Sequence, residues 1–379
     1  MEEFKKITSN IKSIDKNFMN IIQERLDNLT KPRGSLGRLE ELAKQICGIT
    51  GKEGRLLRNK VIFTLAGDHG VTEEGISAYP KEVTGQMVYN FLAGGAGINV
   101  LANHVGARVV VMDIGVAFDL KPDPRLVIKK INYGTKNIAK GPAMSRKEAV
   151  DSIYAGIEIF EDEFKRGIDI AGTGDMGIGN TTASSAITAV FTKKPIEEIT
   201  GRGTGLDDKG LKNKIDIIRK SISLNKPDSS DPIDILSKVG GFEIAGLAGI
   251  ILAAASKRVP VVLDGFISGA AALAAFHIEP KVKDYMIAAH CSVESGHKVI
   301  LEHIGLKPLF DLDLRLGEGT GGALGIGLAD AAIKILTEMA TFKSANVSVS
   351  LKSANVSASL SSRARPKGAE GSNDRHHRE

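Results

Sequence analysis

Three glycine-rich segments hold the residues best able to do chemistry. The first, Gly172-Thr-Gly-Asp-Met-Gly-Ile-Gly-Asn-Thr-Thr182, contains G-x-G-x-x-G at 172–177 and places Asp175 inside it. Such glycines let a backbone approach a phosphate, and free N–H groups at a helix start can bind one. The motif alone is weak evidence for a dinucleotide, since no ribose-binding acid follows a second strand about 20 residues on. The second segment, Thr200-Gly-Arg-Gly-Thr-Gly205, has Lys212 and Lys214 just downstream. A glycine nest beside a cation suits a phosphomonoester, although a surface turn with solvated lysines has the same composition. Spacing does not separate the two lysines. The third, Leu312-Asp-Leu-Arg-Leu-Gly-Glu-Gly-Thr-Gly-Gly322, sets Glu318 between two glycines. Facing a dry cleft, such a carboxylate has a raised pKa suited to proton abstraction. At a solvated helix start it only stabilises the dipole, by under ~1 kcal/mol.

No G-x-x-x-x-G-K-[ST], G-x-S-x-G or H-E-x-x-H occurs, and the eight histidines show no ligand spacing. No metal and no cofactor is therefore expected.

The elements that must position these loops are short apolar runs that each end in polar or glycine residues. They are Val61–Ala66, Arg108–Met112, Ile168–Ala171, Val259–Leu263 and Tyr285–Ala289. Near-continuous apolar runs are what strands covered on both faces require. With helical stretches between them they predict a parallel α/β sheet with right-handed crossovers. Ligands in such sheets sit beyond the carboxyl ends of the strands, where Asp68, Asp113, Asp175, Asp264 and Ser292 would gather. Polar residues end many strands without a functional reason, so part of this convergence is structural. Ahead of the sheet, Ile11, Ile14, Phe18, Ile21, Ile22, Leu26 and Leu29 predict one helix over 8–30, followed by a loop and a helix over 36–47. The last helix is predicted over 322–339.

The chain has 379 residues, 42% of them hydrophobic, with 42 glycines, no Trp and only 5% aromatics. This excludes a collagen, a coiled coil, a disulfide scaffold and an outright disordered chain. The core must be built from small and branched aliphatics, with close backbone approaches. The net charge is +5, but residues 341–379 carry seven Lys/Arg against three Asp/Glu, so the rest is nearly neutral. A basic pI that resides in a tail is no footprint of a nucleic-acid partner. Cys47 and Cys291 read as reduced thiols. The charged N-terminus lacks an apolar signal stretch, and the longest apolar run, Ile244–Ala255, is short for a membrane span. A soluble, cytoplasmic protein with no membrane partner is expected. The nonamer at 343–351 repeats at 352–360 with one difference, and 343–379 reads as a disordered tail. Its two Asn-Val-Ser sites, at Asn346 and Asn355, would not meet the glycosylation machinery in a cytoplasm.

Taken together, the segments resemble one family, the nicotinate-nucleotide:dimethylbenzimidazole phosphoribosyltransferases of cobalamin synthesis. The resemblance rests on Lys31-Pro-Arg-Gly-Ser-Leu-Gly-Arg-Leu-Glu40, Ala66-Gly-Asp-His-Gly-Val71, Gly75-Ile-Ser-Ala-Tyr-Pro80 and Val83-Thr-Gly-Gln-Met-Val88. It continues through Gly94-Gly-Ala-Gly-Ile-Asn99, Met176-Gly-Ile-Gly-Asn-Thr-Thr182, Thr200–Gly205, Asp264-Gly-Phe-Ile-Ser-Gly269 and Arg315-Leu-Gly-Glu-Gly-Thr-Gly321. These stretches span roughly 30–325 in the family's order. The chain departs from the family at Asp175, often Glu, and at Ser295, where Pro is usual. It also continues past the family's usual end near residue 348.

The resemblance implies transfer of phosphoribose from nicotinate mononucleotide to 5,6-dimethylbenzimidazole, giving α-ribazole 5′-phosphate and nicotinate. It implies Glu318 as general base, with Asp175 as a second catalytic carboxylate. Ser77, Tyr79, Gln86 and Leu316 would line the slot for the flat base; the rival reading for Tyr79 and Leu316 is ordinary core. Gly174, Gly177, Asn180, Gly203 and Lys214 would hold phosphate and ribose. Asp264 and Ser292 would contact the ribose or nicotinate side. A Rossmann-like large domain over 51–321, a small helical domain from 1–50 plus 322–342, and a homodimer are also implied. Two other classes fit some of the residues: a nicotinamide-dinucleotide enzyme, testable by NADH titration, and a nucleotide-binding module without turnover.

Overall fold

The computed structural model describes residues 2–54 and 56–348. Six strands form one sheet: β1 (Lys60–Gly67), β2 (Ala107–Gly115), β3 (Leu126–Ile128), β4 (Ile170–Met176), β5 (Val261–Leu263) and β6 (Met286–Ala288). Their order is β3-β2-β1-β4-β5-β6, and every pairing is parallel. The chain builds outward from β1 to β3, then returns to lay β4 on the other side of β1. Strand order therefore reverses between β1 and β4, the switch point where open α/β sheets bind their ligands.

Both faces of the sheet are covered. Val61, Phe63 and Leu65 of β1 point into one apolar cluster, while Ile62 and Ala66 point into another. That two-sided burial explains the continuous apolar runs. The first face carries the helices Arg146–Arg166, Asn180–Thr192, Phe242–Ser256 and Phe266–Ile278. Phe242–Ser256 is buried from Phe242 to Ala255. It meets Arg146–Arg166 backbone to backbone: a Cβ on Gly156 would lie 1.9 Å from the Gly246 carbonyl oxygen. An aromatic-poor core closes in this way.

The second face carries Lys16–Asp27, Arg38–Thr50, Val83–Ala93, Gly97–Val105 and Thr320–Glu338. Thr320–Glu338 is long and apolar enough to cross a membrane by length and composition. Here its Ile326, Ile333 and Leu336 are buried between the sheet and the N-terminal helices.

Four expectations need correction. The helix expected over 8–30 is two helices, Glu2–Ser9 and Lys16–Asp27, because the Asp15 carboxylate accepts the N–H of Asn17 and of Phe18 and starts a new helix. Ile21, assigned to the apolar stripe, is 54% exposed. The strand expected to end at Ala171 runs on to Met176, so Gly172 and Gly174 lie inside β4 and form no phosphate-binding turn. Finally, residues 343–348 do not belong to a tail without structure. Phe342 donates its N–H to the Asn28 carbonyl, Thr341 bridges Leu29, and Val347 closes a turn onto Phe342. The remainder of the expected tail, 349–379, lies outside the described residues.

Candidate active site

A cavity of about 540 Å³ opens beyond the carboxyl ends of β1, β4, β5 and β6. Its size is ordinary for a small-molecule site. After β4 the chain turns at Gly179 (φ +94°) into the helix Asn180–Thr192, whose amino end borders the cavity with Asn180 and Thr181. The glycine loop at 200–205 forms the next wall. Thr204 Oγ1 accepts the N–H of Ala78 at 2.9 Å and lies 3.2 Å from Ser77 Oγ, tying this loop to the segment after β1. From behind, Glu294 Oε1 accepts the Gly203 N–H at 2.9 Å. Ser292 Oγ donates to the Leu314 carbonyl at 3.1 Å, which anchors the wall formed by 313–317.

Eight residues singled out in the sequence meet on this cavity: Ser77, Tyr79, Asp175, Gly177, Asn180, Gly203, Ser292 and Leu316. Tyr79 and Leu316 are 57% and 61% exposed at its mouth, so neither is a core residue. Five others stand elsewhere. Gln86 is exposed on the helix Val83–Ala93 and is not on the cavity wall. Gly174 lies under the Glu318 backbone, where a Cβ would come within 2.2 Å of the Glu318 carbonyl oxygen. Lys214 is fully buried behind the glycine loop, with Nζ donating to Thr181 Oγ1 (2.9 Å) and to the Gly201 carbonyl (3.2 Å). Burial pulls its ammonium down to about 8, against the pull of Glu294. Asp264 is buried, and its oxygens accept backbone N–H groups of Gly319, Gly321 and Gly322. Glu318 itself is buried and is not on the cavity wall, which its neighbours Leu316 and Gly317 do line.

Asp68 and Asp113 do not join the cavity either. Asp68 accepts the Ala117 N–H, while Asp113 accepts those of Gly115 and Val116 and pairs with Lys130 at 3.0 Å. They lock the turn after β2. Sequence reasoning passed over Thr204, Glu294 and Arg315 as single residues, although Thr204 and Arg315 stand in segments quoted above.

The two remaining carboxylates are held differently. Asp175 is buried on the cavity wall and accepts the Asn180 side-chain N–H at 2.9 Å. Burial first, then the negative charges of Asp264 and Glu243, pushes its carboxyl well above the usual carboxylate range. Glu318 turns toward the amino end of the helix Gly97–Val105, where Ile98 donates its N–H to Oε2 at 3.1 Å. Gly97 leaves room for it: a Cβ there would meet Oε2 at 3.4 Å and Leu316 Cδ2 at 2.9 Å. Burial raises the Glu318 pKa, the amides of Ile98 and Gly97 lower it, and Asp264 raises it; the net shift is upward. Gly317 separates the pair, with Asp175 Oδ2 3.5 Å from where its Cβ would be. Glu318 adopts φ +64°, which costs a side-chain-bearing residue about 1 kcal/mol or more. Among the described residues, no three His, Cys, Asp or Glu side chains come together as a metal ion would need.

Residues 11–347 match a family model described as phosphoribosyltransferase, which makes the chain an enzyme of that class. The nicotinate-nucleotide–dimethylbenzimidazole phosphoribosyltransferase of Desulforudis audaxviator is 58% identical over 348 residues, covering 92% of this chain and 99% of the relative. The enzyme of that name from Geobacter sulfurreducens is 57% identical over 340 residues, covering 90% and 97%. A crystal structure of the Thermus thermophilus enzyme of the same name superposes with a TM-score of 0.84 at 41% identity, covering 89% of this chain and all of that one. The chain belongs to the nicotinate-nucleotide–dimethylbenzimidazole phosphoribosyltransferase family. With β4 running through the G-x-G-x-x-G motif, the nicotinamide-dinucleotide reading loses its phosphate loop.

Proposed function

We propose that the enzyme moves phosphoribose from nicotinate mononucleotide to 5,6-dimethylbenzimidazole, with Glu318 as general base. The observation that carries this is a pair of buried carboxylates, Asp175 on the cavity wall and Glu318 just past Gly317, held in environments of different polarity. When neighbouring titratable groups are pushed apart, the pair divides acid and base roles. Burial and the negative charges of Asp264 and Glu243 push Asp175 upward, which favours its protonated form. Burial raises Glu318 as well, but the Ile98 and Gly97 amides favour its charged form, which suits it to the role of base.

The azole nitrogen attacks C1′ from the face opposite the pyridinium. The C1′–N bond breaks, and its electron pair goes to the ring nitrogen of nicotinate. As charge develops on the azole, its other N–H becomes acidic and passes its proton to Glu318. The pyridinium's own positive charge activates the bond that breaks, so the chemistry calls for no metal. What remains is positioning. The amino end of Asn180–Thr192 and the Gly203 loop, with the Lys214 ammonium beneath it, suit the phosphate. Ser77, Tyr79 and Leu316 suit a flat apolar base at the mouth. The exposed Tyr79 and Leu316 support a homodimer in which a second copy covers that slot, which sedimentation of the purified protein would test.

The deciding experiment is Glu318→Gln, assayed with nicotinate mononucleotide and a panel of benzimidazoles by product mass. The amide keeps shape and binding but cannot take the proton, so kcat should fall by roughly 10²–10⁴-fold with KM nearly unchanged. Asp175 is the second reading, favoured by its place on the cavity wall. Near-normal turnover in Glu318→Gln together with loss in Asp175→Asn would move the role there.

A further inference from the structure

Asp264 follows β5 and is buried below the turn that carries Glu318. Its Oδ1 accepts the N–H of Gly321 at 2.7 Å and of Gly322 at 3.1 Å, and its Oδ2 accepts that of Gly319 at 3.1 Å. These amides open the helix Thr320–Glu338, where no partner exists inside the helix. Glu318 stands immediately before them. Its φ of +64° is flanked by Gly317 at +82° and Gly319 at +104°, so three consecutive residues are left-handed. A glutamate keeps such a backbone only where its surroundings enforce it. On the opposite side, Thr64 Oγ1 of β1 donates to the Glu318 carbonyl at 2.9 Å. Asp264 is not on the cavity wall, and both of its oxygens are engaged by backbone.

We infer that Asp264 is a positioning residue of this enzyme, clamping the Glu318 turn through three backbone N–H bonds while Thr64 holds the same turn by its carbonyl. The inference rests on Glu318 as the base. It removes Asp264 from the ribose or nicotinate contacts that the resemblance implied.

The clamp also has an electrostatic side. Glu318 is faced by Asp264 from β5, by Asp175 from β4, and by the Gly97 and Ile98 amides from the helix Gly97–Val105. His290 Nε2 lies 3.7 Å from Asp264 Oδ1, and Glu243 acts on Asp175. Asp264's negative charge opposes ionisation of Glu318, so its loss makes Glu318 a weaker base that ionises at lower pH.

The test uses the full-length enzyme. Asp264→Asn leaves an oxygen for two amides but turns an NH₂ on the third. A displacement of the base by about 1 Å should lower kcat about 10²-fold while both KM values stay within about threefold. The acid limb of the kcat–pH profile should move to lower pH. Thr64→Val should lower kcat without moving that limb, and Thr64→Ser should restore it; this pair decides the matter if Asp264→Asn does not fold. A raised KM for nicotinate mononucleotide in Asp264→Asn, with the acid limb unmoved, would overturn the inference and make Asp264 a substrate contact. So would an unchanged kcat in Thr64→Val. Turnover retained in Glu318→Gln sinks the base and the clamp together, whereas a dead Glu318→Gln beside a KM-only Asp264→Asn sinks the clamp alone.

Discussion

Replacing Gly174 by alanine should disable the enzyme through one added methyl group that touches no substrate. Gly174 lies inside β4, opposite Thr64 of β1. A Cβ there would sit 2.2 Å from the Glu318 carbonyl oxygen, 2.6 Å from its carbonyl carbon and 2.8 Å from the Gly319 nitrogen. Ordinary contact begins at 3.4 Å, so roughly 1 Å must be found somewhere. The strand cannot supply it, because β4 is hydrogen-bonded on one side to β1 and on the other to β5. The atoms met are backbone, so no rotamer can yield. The Glu318 turn must therefore move, and with it the bond from Thr64 Oγ1. A misplacement of about 1 Å costs about 10²-fold in rate, and overpacking of this kind costs about 1–3 kcal/mol of stability. The expected result is a kcat about 10²-fold down, a melting temperature lowered by several degrees, and mononucleotide affinity nearly unchanged. Gly172→Ala is the control within the same strand. Its Cβ would meet only the side chains of Ile62 and Ile326, at 3.1 and 3.2 Å, which can shift by tenths of an ångström. Steady-state kinetics beside thermal melts of both variants would check this. Equal, near-normal kcat in the two would refute the claim that the base is held by its backbone.

Two further outcomes follow from the electrostatics. Lys214→Ala should raise the KM for nicotinate mononucleotide about 10- to 100-fold with a smaller effect on kcat, as loss of a charge-assisted contact made in ground and transition states alike. The wild-type KM should rise as pH passes about 8, where Lys214 loses its proton, and a KM flat through that range would separate Lys214 from the phosphate. Asp175→Asn should stabilise the fold at high pH. Its carboxyl is held above its unfolded value, so the native state binds the extra proton, and stability falls as pH rises between the unfolded and folded values. The asparagine escapes that cost, so the Tm gain should vanish below the unfolded carboxylate value and grow as pH rises above it. A gain independent of pH would place its origin in packing.

What the sequence made legible, and what it hid, divides along physical lines. The two-sided burial of β1 and β2 writes itself as unbroken apolar runs, so the strands and their parallel sheet followed from pattern, whereas the strand order did not. The edge strand β3 was missed because only Leu126 of its three residues is buried. β4 was cut short because Gly172 and Gly174 look like a loop. They are glycine because Ile326 and the Glu318 backbone press against them from more than 140 residues away. The walls of the cavity were legible as contiguous segments at strand ends. The direction of the Glu318 carboxylate was not, since it depends on the Ile98 amide, 220 residues distant. For Lys214 the signal was present and unused. On the helix Asp208–Asn225 it shares a face with Ile217, Ile218 and Ser221, all buried, at spacings of three, four and seven. Lys212 falls on the exposed side. A cation carried inward on an apolar stripe must meet compensating polar groups there. Those it meets are Thr181 at a helix start and Gly201 in a glycine loop, which is why the helical period would have separated the two lysines where motif spacing could not.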